Sequence, residues 1–368
     1  MRISPLLFGA ALIITPANAL CDQILTIEEA FESNETDTRL VSWCDNCTDS
    51  LACGDAACCG DTCCGDSCCE CCQPLSNCGL LGKGILTHDS CGKGCPLPGL
   101  VLGCFCKSES CYDDFISPMT NPVYFEDPRN TTEFRAFFLH HKVPLAAGGG
   151  DIQLWSVQIR ARLNEDWSLI ATKDGFATSD NPLIDDGWGD VSLGLKRQVY
   201  RDPHNQRLAS VGFAYDAPVG STRTLQGRGD GMFHVFATGG TQLGCYGHWV
   251  SNFGGEIPVD DDASNSFIYW SNHFDYQIRR GWYGLLEFNW YHFTGDGDDS
   301  LGLTGVSGGD LFNFGSAGVD GNDIVTGAFG AKYKPNRKTE IGVAFEVPLT
   351  DRRDVTESRL TLDWIMRY

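Results

Sequence analysis

The chain has 368 residues, 43 of them glycine, and a formal net charge of −21 at pH 7. That length is enough to bury a large core or to close a large barrel. The acidic balance argues against a nucleic-acid partner, because the phosphates would be repelled. The 21 phenylalanines and 9 tryptophans favour a β-rich protein with aromatic surface bands over a helical one.

The first 19 residues have the pattern of a secretory signal peptide. An apolar run from Leu6 to Ile14 is followed by the small-residue cleavage site Ala17-Asn18-Ala19. The run is too short to cross a bilayer, which takes about 20 apolar residues. We therefore expect an exported protein, with a signal peptide at 1–19 and a short leader at 20–43.

Cysteine divides the rest of the chain sharply. Of the 19 cysteines, 17 lie between Cys44 and Cys111. In an exported chain this density predicts a disulfide framework over 44–111, with open connectivity. Metal binding by thiolates is the alternative, because Cys44 and Cys47 have the spacing of zinc ligands. The disulfide candidates are Cys44, Cys47, Cys53, Cys58, Cys59, Cys63, Cys64, Cys68, Cys69, Cys71, Cys72, Cys78, Cys91, Cys95, Cys104, Cys106 and Cys111.

From about Thr132 onward the chain reads as strands and turns. About twelve segments of roughly ten residues alternate apolar with polar side chains, which face opposite sides of a strand. In the last segment the charged residues share one face, with Ile365 as the exception, and the other face is apolar. This apolar face, typical of a barrel-closing strand, consists of Leu360, Leu362, Trp364, Met366 and Tyr368.

The connections between these segments alternate between short and long. Tight turns at 164–166, 280–281 and 335–338 separate longer links, of which the longest is the glycine- and aspartate-rich stretch Gly295–Asn322. Outer-membrane barrels have short turns on the periplasmic side and long loops outside. We therefore predict an all-β fold, a transmembrane antiparallel up-and-down β-barrel of about twelve strands at 132–368. It follows a Cys-rich irregular leader and is entered through a linker at 112–131.

Alternation alone does not tell which face of a strand points outward. A soluble β-sandwich or lipocalin puts its apolar face inside, whereas a barrel in lipid puts it outside. Tryptophans near strand ends, such as Trp155, Trp188 and Trp282, favour the lipid arrangement, because aromatic residues form bands at membrane interfaces. The polar face then lines the lumen. The predicted pore-lining residues are Arg160, Arg162, Asp190, Lys196, Glu287, Asn289, Glu340, Glu346, Arg359 and Asp363.

One strand carries a family resemblance. The segment Gly187–Lys196 resembles the Gly-x-Gly-Asp-Val-x-Leu-Gly-x-Lys strand of the meta-pathway phenol-degradation-like outer-membrane barrels, distant relatives of fatty-acid and aromatic-hydrocarbon channels. Asn121–Arg129 and Leu169–Gly175 are similar to the N-terminal part of such barrels. The resemblance covers about two-thirds of the chain, from Asn121 to Tyr368. It implies passive uptake of small, mostly hydrophobic or aromatic molecules, and it leaves the Cys-rich leader outside.

Nothing in the sequence points to catalysis. The chain has no nucleophile elbow, zinc-binding His-Glu-x-x-His helix or phosphate loop. His140 and His141 are adjacent on one strand and therefore face opposite ways. Asp260–Asp262 and Asp296–Asp299 lack the spacing of a calcium loop. We expect no enzyme activity, no cofactor and no metal site.

The sequence thus predicts a passive outer-membrane channel with a periplasmic Cys-rich segment. Its expected partners are outer-membrane lipid, a small-molecule solute and the barrel-assembly machinery, with cell-wall or envelope proteins as further partners of the leader. Two alternatives stay open. One is a structural barrel that anchors the envelope without transport, and the other is a secreted soluble β-domain, a lectin or an enzyme.

Overall fold

The computed structural model describes residues 105–368. The predicted signal peptide, the short leader and the cysteines up to Cys104 lie outside the described residues. Of the disulfide candidates, Cys106 and Cys111 are described. Cys106 is buried, and its backbone forms an antiparallel bridge with Arg162. Cys245, in a turn further along the chain, is disulfide-bonded.

The described chain is an antiparallel β-sheet of fourteen strand segments that closes on itself. Only two short 3-10 turns, Leu145–Ala147 and Thr222–Thr224, interrupt the β-structure of residues 105–368, and no helix there is long and apolar enough to cross a bilayer. The segments are β1 (Glu133–Lys142), β2 (Asp151–Arg162), β3 (Trp167–Ala171), β4 (Phe176–Ser179), β5 (Gly187–Trp188), β6 (Val191–Asp202), β7 (Arg207–Ala217), β8 (Met232–Leu243), β9 (Gly247–Pro258), β10 (Phe267–Arg279), β11 (Trp282–Phe293), β12 (Asp323–Asn336), β13 (Thr339–Pro348) and β14 (Ser358–Arg367).

The fourteen segments occupy twelve positions around the wall. Both β3 and β4 pair with β2, so they form one interrupted strand, and β5 and β6 form the next. The barrel closes where β1 pairs with β14 on one side and with β2 on the other. The expectation of about twelve antiparallel strands in a closed barrel is therefore confirmed.

The apolar faces of the strands point outward. Leu193, Leu286 and Phe329 on the outer face are 54%, 52% and 61% exposed, whereas charged residues such as Arg160 and Glu287 are buried inside. In β14 the five apolar side chains predicted for barrel closure alternate with the buried Arg359, Thr361, Asp363, Ile365 and Arg367. This distribution is the reverse of a soluble β-sandwich, and it fits a wall surrounded by lipid.

Long and short connections alternate around the barrel as the sequence predicts. The turns after β2, β6, β8, β10 and β12 have two to four residues and lie at one end, here called the short-turn end. The start of β1 lies at the same end as Tyr368, whose backbone N–H donates to the carbonyl of Thr132 over 3.1 Å. The opposite end, the loop end, carries the long connections, including the β11–β12 loop of residues 294–322.

The sequence pattern also predicts a link over Asp174–Asp186 and a strand over Leu243–Asn252, and the structure differs at both. The link contains β4, a four-residue strand too short to show alternation. The turn at 244–246, where Gly244 has φ +65°, divides the predicted strand, and β9 runs on through Gly254 and Gly255 to Pro258.

Candidate functional site: a plugged lumen

The segment that precedes β1 fills the lumen. Every residue from Phe115 to Glu133 is buried, although the sequence gives this stretch no strand alternation. We call residues Tyr112–Thr131 the plug. The plug enters at the short-turn end, where the hydroxyl of Tyr112 donates to the Arg207 carbonyl over 3.0 Å. It returns to the same end, where Asn130 donates to the carbonyl of Asn164 over 3.0 Å.

The plug cannot form a strand because prolines interrupt it. Pro118, Pro122 and Pro128 lack backbone donors and have a fixed φ, and Asn121 adopts a left-handed φ of 50°. The backbone groups of the plug are therefore satisfied by side chains of the wall. The Pro122 carbonyl, for example, accepts a hydrogen bond from Gln158 over 2.6 Å, so the burial of this irregular segment costs little.

Glu126 is the central ionic anchor of the plug. Its carboxylate lies 2.6 Å from the Arg160 guanidinium on β2 and 2.8 Å from the Lys196 ammonium on β6. Burial alone would raise the pKa of Glu126, but the two cations outweigh it and lower the pKa to about 2. The carboxylate is therefore ionised at neutral pH and holds the plug to two strands.

Two carboxylates of the wall bind backbone groups of the plug. Glu287 accepts hydrogen bonds from the N–H groups of Met119 and Thr120 over 2.8 and 2.6 Å. Glu340 accepts one from the N–H of Ser117 over 3.0 Å. Hydrogen bonds to a charged acceptor are stronger than neutral ones. Glu287 and Glu340 thus hold the first half of the plug, at residues 117–120, against β11 and β13.

A further ion pair lies within the plug itself. The Arg129 guanidinium is 2.6 Å from the Asp127 carboxylate. Burial opposes ionisation of Asp127, but Arg129 outweighs it and holds the pKa of Asp127 well below its ordinary range. Ser117 connects this pair to the wall, because its hydroxyl donates to Asp127 and accepts from Arg367, each over 2.8 Å.

The ten predicted pore-lining side chains are all buried within the wall. Some bind the plug, as Arg160 does, some pair with other wall residues, as Arg359 does, and others, such as Asp190, bind backbone groups of loops. The structure brings Arg359 within 3.4 Å of Glu346, and it gives Asp363 two cations, Arg135 from the neighbouring β1 and Lys332 from β12, at 3.0 and 2.9 Å. Whether a solute passes these residues stays a prediction. The buried positions are those of Arg160, Arg162, Asp190, Lys196, Glu287, Asn289, Glu340, Glu346, Arg359 and Asp363.

Several residues of the lumen network escaped the sequence analysis. Arg367 pairs with Glu133 over 2.8 Å and with Glu340 over 2.6 Å, and it lies on the charged face of β14 that the pattern already marked. The alternation along this strand therefore already indicated that Arg367 faces the lumen. The plug residues Glu126 and Arg129 gave no such indication, because no periodicity relates them to the wall.

The β11–β12 loop folds inward at the loop end. Its Asp310 forms a buried ion pair with Arg359 over 2.6 Å. Its Leu311, Phe312 and Phe314 join an apolar cluster with inward-facing residues of β1 and β2. The lumen is thus closed from one end by the plug and from the other by this loop.

Among the cavities between the plug and the loop end, two lie side by side. The larger, here called the apolar chamber, offers about 40 Å3 to the centre of a water-sized sphere, and its lining includes Val123 of the plug, Phe137, Ile152 and Phe312. The smaller, the polar pocket, offers about 20 Å3 by the same measure and is lined by Asp190, Asp216 and Arg228 among others. Lys173 and Gln226 line both cavities, so the two are neighbours.

The histidines of the lumen belong to hydrogen-bonded networks. His273 lies between Glu287 at 2.6 Å and Asp275 at 3.2 Å. His141 is buried and contacts the Val355 carbonyl, whereas His140 faces the other way and is partly exposed. In residues 105–368 no group of three or more histidine, cysteine, aspartate or glutamate side chains is arranged to hold a metal ion.

Comparison with known proteins gives no family assignment. No family model matches the chain, and no curated protein matches it. Solved structures with a similar course of the chain include the NanC porin, with a TM-score of 0.41 and 8% identity over 64% of this chain and 98% of that one. The KdgM porin has a TM-score of 0.38 and 8% identity over 64% and 99%. A bacterial polysaccharide outer membrane secretin has 0.35 and 9% over 66% and 100%. The similarity is remote, and no conclusion about function rests on it.

Proposed function

We propose that this protein is an outer-membrane channel for passive uptake of small, mostly hydrophobic or aromatic molecules. The observation that carries the proposal is the apolar chamber inside a barrel whose outer face is also apolar. Transfer of a molecule of low polarity from water into such a chamber is favourable, by about 25 cal/mol for each Å2 of apolar surface removed from water. We propose transport and no catalysis.

In this proposal the loop end faces outward and the short-turn end faces the periplasm. Outer-membrane barrels place their long loops outside, and the described chain begins at the short-turn end, so the Cys-rich leader would lie in the periplasm. The resemblance of Gly187–Lys196 to phenol-degradation-like barrels supports the same class of solute. Outer-membrane lipid and the barrel-assembly machinery are partners that any such barrel requires.

A channel of this kind must open, because the plug and the β11–β12 loop fill the lumen. Twelve strands enclose a space between the filled eight-stranded barrels and the open porins. The plug is bound mainly by hydrogen bonds and ion pairs to the wall, and the wall closes through its own backbone hydrogen bonds between neighbouring strands. We propose that the plug shifts within an intact barrel when solute passes.

The filled lumen also favours one alternative, a structural barrel that links envelope layers without transport. The two are separated by solute uptake into liposomes that contain the purified full-length protein. We expect uptake of a small aromatic alcohol to exceed that of an equally sized sugar, which leaks less through lipid, after subtraction of protein-free liposomes. Equal rates with and without protein, for both solutes, would favour the structural barrel. The outward apolar face argues against the third reading, a secreted soluble β-domain.

A further inference from the structure

Two buried polar groups without a hydrogen-bond partner lie at the apolar chamber or close to it: Thr224 in its lining, and Glu256 on a neighbouring part of the wall. Glu256 on β9 is 1% exposed, and neither of its carboxylate oxygens has a hydrogen-bond partner among the described residues. Thr224, which lines the chamber and is also 1% exposed, has a buried hydroxyl oxygen without a partner. A buried polar group without a partner costs about 1–3 kcal/mol, and more when it is charged. These groups point to a ligand that supplies hydrogen-bond donors.

Glu256 lies beside the polar pocket. It is paired in register with His234, which is two residues from Met232 on the same face of β8, and Met232 lines the pocket. The charged groups near enough to act on Glu256 are Asp216, also in the lining, and Lys173. Its carboxylate therefore belongs to the environment of this pocket.

The charges around the two cavities are predominantly negative. Their lining contains the cations Lys173 and Arg228 and the carboxylates Asp174, Asp190 and Asp216. Lys173 is already paired with Asp216 over 3.1 Å, and Arg228 donates to the Phe314 carbonyl over 2.9 Å. Glu256, beside this lining, forms no ion pair with a described residue. An anionic ligand would be repelled here, and a cation would be attracted.

The loops at the loop end are also negatively charged. The β9–β10 and β11–β12 loops, which supply Ser264, Leu311 and Asn313 to the cavity linings, contain no lysine or arginine. A mouth of one sign raises the local concentration of ions of the opposite sign. The aspartates of the two loops are Asp260, Asp261, Asp262, Asp296, Asp298, Asp299, Asp310 and Asp320.

We propose that the apolar chamber and the polar pocket together bind a small amphipathic cation, an amine with an apolar body. The body fills the chamber against Phe137, Ile152 and Phe312, and the ammonium group lies at the polar end, where it supplies donors to Glu256. An ammonium group has three donors and no acceptor, so it can donate both to the Glu256 carboxylate and to the hydroxyl oxygen of Thr224. This inference rests on the proposed uptake function and names the class of solute.

The test compares three ligands of nearly equal size: 2-phenylethylamine, 2-phenylethanol and phenylacetate. Binding to the detergent-solubilised full-length protein is measured by calorimetry at pH 7. We expect the amine to bind at least about tenfold more tightly than the alcohol, and the carboxylate to bind most weakly. Phenylacetate binding as tightly as the amine, or no binding of the amine, would overturn the proposal.

Substitutions locate the site. We expect Glu256→Gln to weaken binding of the amine about tenfold or more and to change the affinity for the alcohol by less than about twofold. The matched control Glu109→Gln removes a buried carboxylate at the short-turn end, near Arg201, and is expected to change neither. An unchanged amine affinity in Glu256→Gln would contradict the assignment. Binding is measured separately from transport. If the amine binds but the liposomes take up no solute, the binding site is supported and the channel function is rejected.

Discussion

At the scale of single residues, Glu126 connects the plug to four strands. Its carboxylate binds Arg160 of β2 and Lys196 of β6. Its carbonyl accepts hydrogen bonds from Thr238 of β8 and Asn252 of β9, over 2.8 and 3.3 Å. One glutamate thereby contacts four strands, of which only β8 and β9 are neighbours, and the contacts to β2 and β6 depend on its charge.

We expect Glu126→Gln to loosen the plug while the wall stays closed. The substitution leaves two buried cations without this carboxylate, and breaking a buried ion pair costs about 3–5 kcal/mol. Arg160 retains Glu133 at 3.2 Å, which lessens the loss. Single-channel recording in planar bilayers should show more frequent or larger openings than in the native protein. Glu109→Gln is the control, and identical conductance in Glu126→Gln and the native protein would reject the role of Glu126.

Acid should have the same effect as the substitution. The pKa of Glu126 is about 2 in the folded protein, below its ordinary value of 4.5. A carboxylate with a lowered pKa contributes stability that is fully present above the ordinary value and is lost as the pH falls toward the folded value. We therefore expect channel openings to increase between about pH 4.5 and pH 2. The acid-induced increase should be smaller in Glu126→Gln, and an equal increase in both proteins would assign it to other groups.

At the scale of elements, the strands were predictable and the plug was not. Alternation along β2, β11, β13 and β14 distinguishes the two faces of each strand, which is a local property. It therefore shows which side chains are buried on the same face. The closing strand showed this most clearly, because Leu362 and Trp364 are exposed where Thr361 and Asp363 are buried. The number of strands followed from counting such segments and the turns between them.

The plug depends on contacts that are remote in sequence. Met119 and Thr120 bind Glu287, which is more than 160 residues away along the chain. No local pattern encodes such a contact, and the prolines of the plug suggested a linker. Glu126, Asp127 and Arg129 were visible as a charged cluster, and only the barrel interior shows what they pair with. The wall of the candidate site could therefore be predicted, because the alternation along each strand shows which side chains face the lumen. The plug that fills the lumen could not be predicted in this way.

The outer face of the strands should tolerate charge poorly. We expect Leu286→Arg to destabilise the protein in lipid vesicles, because an arginine facing the bilayer midplane costs about 2–4 kcal/mol. The control is Leu145→Arg, since Leu145 is 91% exposed in the β1–β2 connection and the same change there should cost little. The free energy of unfolding by urea measures both. Equal effects of the two substitutions would show that the face of Leu286 does not meet lipid.

The two elements that close the lumen can be released separately. Glu287→Ala removes acceptors of the plug, and Arg359→Ala removes the partner of Asp310 in the β11–β12 loop. We expect both substitutions to change the single-channel conductance and ion preference in planar bilayers. The Arg359 variant should act mainly from the loop end. Unchanged conductance and ion preference in both variants would mean that the predicted lumen residues do not line a pore.

At the scale of the whole molecule, the account depends on an inverted distribution of polarity. The wall is apolar outside and charged inside, and the charges are largely paired with one another, with the plug or with the inward loop. The apolar exterior is stable only where it does not meet water, which a bilayer provides. The buried charges inside carry a desolvation cost, which their partners offset.

The most direct test of this claim uses the native tryptophans as probes of lipid contact. Trp155, Trp188, Trp270, Trp282 and Trp364 are 59%, 65%, 48%, 49% and 43% exposed on the outside of the barrel. The protein is reconstituted in vesicles of lipids with brominated acyl chains and in matched unbrominated vesicles, and tryptophan fluorescence is compared. Contact with the acyl chains predicts strong quenching by bromine. Equal fluorescence in the two kinds of vesicle would contradict the account, because the apolar face would then not meet hydrocarbon.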